Sequence, residues 1–382
     1  MDRRSSTPRL DAGAADSAAT SAAFEARIRT LQPGEESRVL ALLDGWPFPD
    51  GRSGADFFRR AIEHDPRYEA RNFVVAEIGH ELVSCAQIFP RWLRVRGQPV
   101  PTGGIGSVFT APTHRRRGLA SRVLEEAVEE MRRRGHELSL LWASRTAWYG
   151  ELGWSIWGGG SVRLGLRQDA PAAPRSAPIE IERFDAERHL EAVMELADLY
   201  SSRRPGTVLR NRGDWLASLE LAGDPHEEFL VVREEGSVQI DAFLRGTMLG
   251  DLWCATEWAH DGSDPSWDEL SAPEHDPGRG AADLALLIAT TQRALGLPAL
   301  RFPPLRDPAL EAELLRIGVG RVDEPDDRGR PEAVWMLRCL APEALAARFE
   351  LPWRPGDERA EEEFLELLLP RSSFHFWPAD RF

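Results

Sequence analysis

Six apolar residues, Leu119, Val123, Leu124, Ala127, Val128 and Met131, recur at helical spacing directly after the run Arg115-Arg116-Arg117-Gly118. No other stretch constrains the fold as much. Before it, Ile105–Thr110 reads as a strand. After it, Gly135 closes the helix and Leu138–Ala143 reads as a buried strand. Strand, loop, amphipathic helix and second strand make a β-α-β unit. Upstream, Glu35–Leu43 has the pattern of a helix and Phe73–Ile78 that of a strand. Glu81–Val95 reads as a long strand broken at Pro90, with Gly79-His80 as a hairpin turn. The first folded region is therefore α+β.

The loop itself carries chemistry. Backbone N–H groups at a helix start lack intrahelical acceptors and bear partial positive charge, which suits a pyrophosphate. Gly118 and Ala120 keep bulk away from such an anion, and Arg116 and Arg117 can add charge-assisted hydrogen bonds. An ordinary strand–helix turn with solvated arginines is the other reading. The order strand, R-x-x-G-x-A and amphipathic helix favours a phosphate-bearing cofactor.

Composition excludes several classes. The 62 acidic and 47 basic side chains give a net charge of −15, and every basic residue other than histidine is an arginine. Such a chain is not a nucleic-acid binder that relies on phosphate neutralisation; its acidic surface favours cationic partners or serves solubility alone. With 42% hydrophobic residues and 13 tryptophans it is not mostly disordered. Cys85, Cys254 and Cys339 lie too far apart for a disulfide framework or a zinc ribbon. The nine histidines include no H-E-x-x-H, so no metal is expected. Gly103-Gly104-Ile105-Gly106 is no dinucleotide fingerprint, because position 109 is Phe, and no G-x-S-x-G elbow occurs. No apolar run reaches the ~18 residues of a membrane span, and no apolar segment follows Arg3 and Arg4 as in a signal peptide. A cytoplasmic protein without a membrane or nucleic-acid partner is expected.

Composition breaks divide the chain. Residues 1–23, rich in Ala, Ser and Thr, read as a disordered leader, and the Pro/Ala stretch at 170–178 as a linker. The expected domains are 24–170, 178–345 and a C-terminal helix and tail over 346–382, with a polar surface loop at 261–280. The second domain repeats the first. Arg279-Gly280-Ala281-Ala282 opens an apolar helix, Gly296 follows Gly280 by 16 residues as Gly135 follows Gly118 by 17, and Leu297–Phe302 reads as the matching strand. The copy has Pro277 where the first loop has an arginine, and Leu314 stands four residues before Gly318 where Tyr149 stands four before Gly153.

Arg115-x-x-Gly118-x-Ala120 resembles the acyl-CoA loop of the GNAT-fold N-acetyltransferases. The run Ala111–Leu119, with Ala143-Ser144 and Trp148-Tyr149-Gly150-Glu151-Leu152-Gly153-Trp154, resembles the mycobacterial "enhanced intracellular survival" acetyltransferases. Those enzymes acetylate amines of aminoglycosides and lysine side chains. The likeness is strong over about 70–165 and traceable over 178–345 through Arg204-Pro205-Gly206, Arg210 and Trp215, and it returns in the last twenty residues. It implies tandem GNAT domains with mixed sheets flanked by helices, the second inactive, and homo-oligomeric, hexameric assembly. About forty residues follow Pro342, too few for the sterol-carrier-like third domain of relatives, so the end is expected to be its truncated remnant.

By the same resemblance, the co-substrate is acetyl-CoA. Backbone groups of Val108, Phe109 and Thr110 would hold the pantetheine arm and acetyl carbonyl. Arg116, Arg117, Gly118, Leu119, Ala120 and Ser121 would surround the pyrophosphate, and Ser144 and Arg145 would complete the cleft. Tyr149 matches the general acid, and Phe382 the terminal residue whose α-carboxylate is the base. Read from residues alone, Tyr149 is either that acid or a ring packed under the sheet. The aromatic ending Phe374-His375-Phe376-Trp377 favours a docked tail over a frayed one. Trp46, Phe48, Asp50 and Asp56 stand where an acceptor cleft or a solvated loop is expected. The function expected is transfer of acetyl from acetyl-CoA to a primary amine of a small polyamine or aminoglycoside, a small cationic partner. The alternatives are a protein-lysine acetyltransferase and a non-catalytic acyl-CoA sensor.

Overall fold

The computed structural model describes residues 26–48, 51–167, 178–222, 227–262, 279–322, 333–356 and 358–380. The leader, most of the linker, most of the 261–280 loop with Pro277, Asp50 and Phe382 lie outside the described residues. The chain begins with β1 (Arg27–Thr30), α1 (Glu36–Leu43), α2 (Gly54–His64), β2 (Phe73–Ile78), β3 (Glu81–Val95) and β4 (Gln98–Thr110). Next come α3 (Leu119–Arg133), β5 (Leu138–Ala143), α4 (Thr146–Gly150), β6 (Ser155–Gly158), β7 (Val162–Leu166) and β8 (Ile179–Arg183). The second half continues with α5 (Ala186–Ser202), α6 (Arg212–Ala222), β9 (Glu228–Glu234), β10 (Ala242–Leu249), β11 (Leu252–His260), α7 (Arg279–Leu295) and β12 (Leu300–Phe302). It ends with α8 (Pro308–Arg316), β13 (Val319–Arg321), β14 (Val334–Cys339), α9 (Pro342–Phe349) and α10 (Glu358–Leu368).

By packing, the chain divides into two compact units. The first comprises residues up to 59 with 69–88 and 107–130, and the second 60–68, 89–106 and 131–382. In the first, β1 pairs antiparallel with β2 and β2 with β3. The β2–β3 ladder ends at Phe73↔Gln87. Pro90 lies beyond that point, so its missing N–H removes no bond to β2, and β3 runs unbroken where the sequence predicts a break. In the second unit, β4 runs parallel to β5 from Thr102↔Leu138 to Ile105↔Leu141. The apolar face of α3 is buried as its spacing predicts, through Leu119, Val123, Leu124, Ala127, Val128 and Met131.

Among the described residues two seven-stranded mixed sheets form, flanked by helices. Their strand orders are β1-β2-β3-β4-β5-β14-β6 and β8-β9-β10-β11-β12-β7-β13. The orders are alike position by position, and the second parallel pair, β11–β12, again encloses a helix, α7. The tandem repeat is therefore real, but the halves exchange a strand. β7, from the 24–170 segment, pairs with β12 and β13, and β14, near the end of 178–345, pairs with β5 and β6. Sheet membership does not follow the two chain segments.

The β14 face toward α9 and α10 carries Trp335, Leu337 and Cys339, clustered with Leu138, Leu140, Trp157, Phe364 and Leu368. Leu337 is fully buried there, opposite Leu140 on one side and Ser155 on the other. Leu337→Ala is expected to cost about 2–5 kcal/mol in urea denaturation. A loss below about 1 kcal/mol would mean that β14 is a dispensable edge.

Candidate functional site

The end of β4 is shaped by a residue that no pattern singled out. Ser107 adopts φ +51°, in the left-handed region, inside the strand. Its hydroxyl donates to Gln87 Oε1 at 3.1 Å, and its carbonyl accepts from Cys85 Sγ, so buried neighbours hold the kink. The ladder with β5 stops at Ile105, while β4 continues to Thr110. On the other edge, Ser84 Oγ donates to Phe109 O at 3.1 Å and Ala111 N donates to Val83 O at 2.9 Å. Val108 and Thr110 are half-buried and Phe109 is buried.

The loop that follows alternates backbone handedness. Arg116 has φ +62° and Gly118 φ +72°, and a Cβ on Gly118 would meet nothing within 4 Å. Arg122 N donates to Gly118 O, which makes Gly118 the residue that opens α3. The N–H groups of Leu119, Ala120 and Ser121 therefore precede the first intrahelical bond. Arg115 turns back, its Nε donating to Thr110 O at 3.0 Å and its guanidinium lying 5.7 Å from the Phe109 ring centroid. Arg117 Nη2 donates to Thr113 O at 3.3 Å, and Arg116 is exposed. The first unit thus holds a strand end, a turn with two left-handed residues and a helix start that can wrap an anion, as P-loops and similar concavities do.

Beside that strand end lies an aromatic group within the same unit. Trp46 sits 5.8 Å from Phe109 and 5.1 Å from Phe58, and Phe48 4.8 Å from Phe57. Trp46 and Phe48 are packed rather than solvated, while Asp56 is exposed.

In the second unit, Ser144 and Arg145 follow β5 as exposed residues, and Arg145 precedes α4. Tyr149 lies in α4, buried, its ring meeting Trp148 at 4.7 Å and Trp154 at 6.2 Å edge-on. Burial pushes its phenol up to about 12, against a smaller opposing pull from Arg145. The hydroxyl is therefore a proton holder throughout the neutral range. Gly153 (φ +87°) ends this turn under Arg338, which donates to Leu152 O at 2.6 Å. The second half repeats the turn at Gly318 (φ +78°), with Leu314 buried in place of the tyrosine.

The tail is docked. Phe374, His375, Phe376 and Trp377 are buried. His375 N donates to Pro205 O at 2.8 Å, and a Cβ on Gly206 would come within 2.5 Å of the Phe374 ring. Trp377 meets Trp258 at 4.6 Å. Arg210, its side chain 6% exposed and lying over the Trp215 ring, forks onto Glu257 and reaches Asp380 Oδ1 at 3.5 Å. Arg204-Pro205-Gly206, Arg210 and Trp215, to which the resemblance assigns no role, thus form the tail's receptor. Asp380 Oδ2 is buried with no hydrogen-bond partner among the described residues. Burial, helped by the Glu257 charge, pushes the Asp380 carboxyl up to about 6 despite Arg210. Phe382, the expected base, lies outside the described residues, two positions further on.

No group of three His, Cys, Asp or Glu side chains among the described residues could hold a metal ion. No described helix is long and apolar enough to cross a membrane.

The family model "Acetyltransferase (GNAT) domain" matches residues 27–157. Over residues 27–157 the chain is similar to a GNAT acetyltransferase domain. The match runs from β1 through α4 into β6, and so takes in the kinked end of β4, the loop and Tyr149. A Streptomyces griseus protein described as an uncharacterized N-acetyltransferase is 26% identical over 212 residues, which is 53% of this chain and 47% of that protein. The alignment thus spans about half the length of that relative. The crystal structure of a GCN5-related N-acetyltransferase from Kribbella flavida superposes with a TM-score of 0.60 at 18% identity, covering 88% of this chain and 76% of that one. Eis1 from Mycobacterium abscessus gives 0.53 at 20% identity over 85% and 76%. Both coverages extend well past the GNAT domain, so the fold of both halves is shared with these structures.

Asp380 supplies a test of the tail's receptor. Its folded value lies above the ~3.9 of an unfolded aspartate, so its contribution to stability is fully present below pH ~4 and is lost as pH rises through about 6. Asp380→Asn, uncharged at every pH, should gain on the wild type by on the order of 2 kcal/mol between pH 4.5 and 7 in urea denaturation. A difference that stays constant with pH would place the Asp380 carboxylate in water.

Proposed function

We propose that this chain is an acetyl-CoA-dependent N-acetyltransferase that acts on a primary amine of a small, cationic acceptor, a polyamine or aminoglycoside, by direct transfer in the cytoplasm. The observation that carries the reading is the α3 start: N–H groups without intrahelical acceptors, a glycine at positive φ with open space where a side chain would stand, and two arginines beside it. The family match over the same residues supports it.

In this reading Leu119, Ala120 and Ser121 N–H groups hold the pyrophosphate with Arg116 and Arg117. Val108–Thr110 offer backbone groups to the pantetheine arm and the acetyl carbonyl, and Ser144 and Arg145 complete the cofactor's binding. The neutral amine nitrogen attacks the acetyl carbonyl carbon, forming a C–N bond. The tetrahedral oxyanion collapses, the C–S bond breaks, and the thiolate takes a proton from Tyr149. The surplus proton on nitrogen goes to the Phe382 α-carboxylate, directly or through water. The second half, with Leu314 where the first has Tyr149, serves as scaffold.

Three variants test the roles. Gly118→Asp and Gly118→Ala share the strain of a positive φ, but only the first sets a carboxylate at the proposed pyrophosphate site. Acetyl-CoA affinity by calorimetry should fall at least about tenfold further for Gly118→Asp. Equal losses would remove the anion reading. Tyr149→Phe should lower kcat by roughly 10²–10⁴ in a thiol-release assay while acetyl-CoA affinity holds. Wild-type kcat should show no alkaline limb from Tyr149 below pH ~11, since its phenol is pushed up to about 12. A Tyr149→Phe enzyme within about threefold of wild type would make the ring purely structural.

A further inference from the structure

The kinked end of β4 is held by side chains from one short run of β3, residues 84–87, all within the first unit. Gln87 Oε1 accepts from the Ser107 hydroxyl at 3.1 Å, and Cys85 Sγ donates to Ser107 O at 3.4 Å. Ser84 Oγ donates to Phe109 O at 3.1 Å and stands 2.8 Å from Thr110 Oγ1. Ser84, Cys85, Gln87 and Ser107 are all buried. Burial pushes the Cys85 thiol up to about 12, so it stays a donor at neutral pH. The run itself is fixed on its far side, where β2 pairs with it from Phe73↔Gln87 to Ala76↔Ser84.

Ordinary strand pairing does not need this arrangement. Backbone ladders hold strands together, and fully buried strand positions are usually apolar. Ser107 instead stands at φ +51°, a region that a residue with a Cβ enters at a cost. Such residues persist only where their neighbours over-determine them, and they cluster at functional sites. Among these contacts, the Gln87 bond is the one made to the side chain of the strained residue. A return of Ser107 to ordinary strand dihedrals would swing its Cβ and hydroxyl away from Gln87, so that bond opposes the relaxation. Relaxation would move the backbone of Val108–Thr110, which no ladder with β5 holds, since that ladder ends at Ile105.

We propose that Gln87 is a positioning residue of the transferase: through the Ser107 hydroxyl it holds the left-handed turn that keeps the Val108–Thr110 backbone aimed at the acetyl carbonyl. The inference rests on the acetyl-CoA reading of this strand end. Gln87 acts through Ser107 and not on the substrate, so removing its bond affects the acetyl group and its transfer. The pyrophosphate, which the α3 start holds, is unaffected.

The test uses the full chain, with acetyl-CoA and either spermidine or kanamycin in a thiol-release assay, and with CoA and acetyl-CoA in calorimetry. Gln87→Leu keeps the bulk and loses the acceptor, so kcat should fall about tenfold or more while CoA affinity stays within about threefold. Ser107→Ala should fall at least as far. Ser107→Gly, which enters positive φ freely, should keep at least about threefold more kcat than Ser107→Ala. In an ordinary strand glycine is the worse of the two, so a merely structural role gives the opposite order. Adding Gln87→Leu to Ser107→Gly should change kcat by less than about threefold, because the bond is already gone. Calorimetry reads the same turn without an acceptor: wild type should favour acetyl-CoA over CoA by about threefold or more, and Gln87→Leu should erase that preference. A wild type that shows the preference but acetylates neither amine would sink the choice of acceptor and leave the role of Gln87 standing. Unchanged kcat and preference in Gln87→Leu, a Ser107→Gly no better than Ser107→Ala, or losses that multiply in the double variant would overturn that role in an active enzyme. A wild type that binds no CoA would remove the transferase reading and this role with it.

Discussion

Both seven-stranded sheets depend on the exchange of β7 and β14. Each sheet needs a strand between its fifth and last positions, and each takes it from the other half of the chain. β14 makes six register pairs with β5 and is bonded to β6 on its other edge. Without it, β5 and β6 would each present an open ladder edge, with the unpaired backbone groups and aggregation risk that edges carry. The first sheet therefore closes only after residues 334–339 exist, and the second closes around residues made much earlier. Such pairings have high sequence separation, which slows folding but ties the halves into one cooperative system. The exchange also brings Trp335 beside Trp142 and Arg301 beside Arg163.

The tail is fastened by a different principle. A single buried guanidinium, Arg210, faces two carboxylates, Glu257 and Asp380. One positive charge cannot satisfy both in a dry setting, and Asp380 pays by holding its proton more tightly. Apolar docking carries the rest. Phe374 fits against Gly206 and Gly158, where any side chain would collide with its ring, and Trp377 stacks on Tyr200 and meets Trp258 edge-on. The tail up to Asp380 is therefore placed by shape first and by charge second.

Local signals were legible and distant ones were not. The period of α3, the glycines at 118 and 135 and the strand Leu138–Ala143 lie within one supersecondary unit, where side-chain spacing decides the structure. The repeat in the second half was legible for the same reason. The strand exchange was not, because β7 and β14 read as ordinary short strands and nothing local names their partners. At the candidate site, Gly118 announced its left-handed turn. Ser107 and Arg116 did not, since both adopt positive φ without being glycine and owe it to their surroundings. Arg210 and Trp215 carry the family resemblance, but the role of Arg210 depends on Asp380, far away in sequence. The domain limits drawn at 170 and 178 mark a composition break, which is a property of the linker and not of the sheets it joins.

The two helix starts show how one scaffold supports opposite electrostatics. At α3 the approach is by arginines, and nothing stands within 4 Å of a Cβ placed on Gly118. At α7, a Cβ on Gly280 would fall 1.9 Å from Asp261 Oδ1, so the glycine there admits a carboxylate from the same chain. Asp261 is pushed up to about 6 by burial and by the nearby Asp241, with Asp283 adding to the same field. Arg279 is drawn onto Glu234 at 2.7 Å and lies 3.8 Å from Asp241. A helix start that already faces its own carboxylates repels a phosphate, whatever its backbone geometry. The same β-α-β unit, with a glycine at each helix start, is thus open to an outside anion in one half and answered from within in the other.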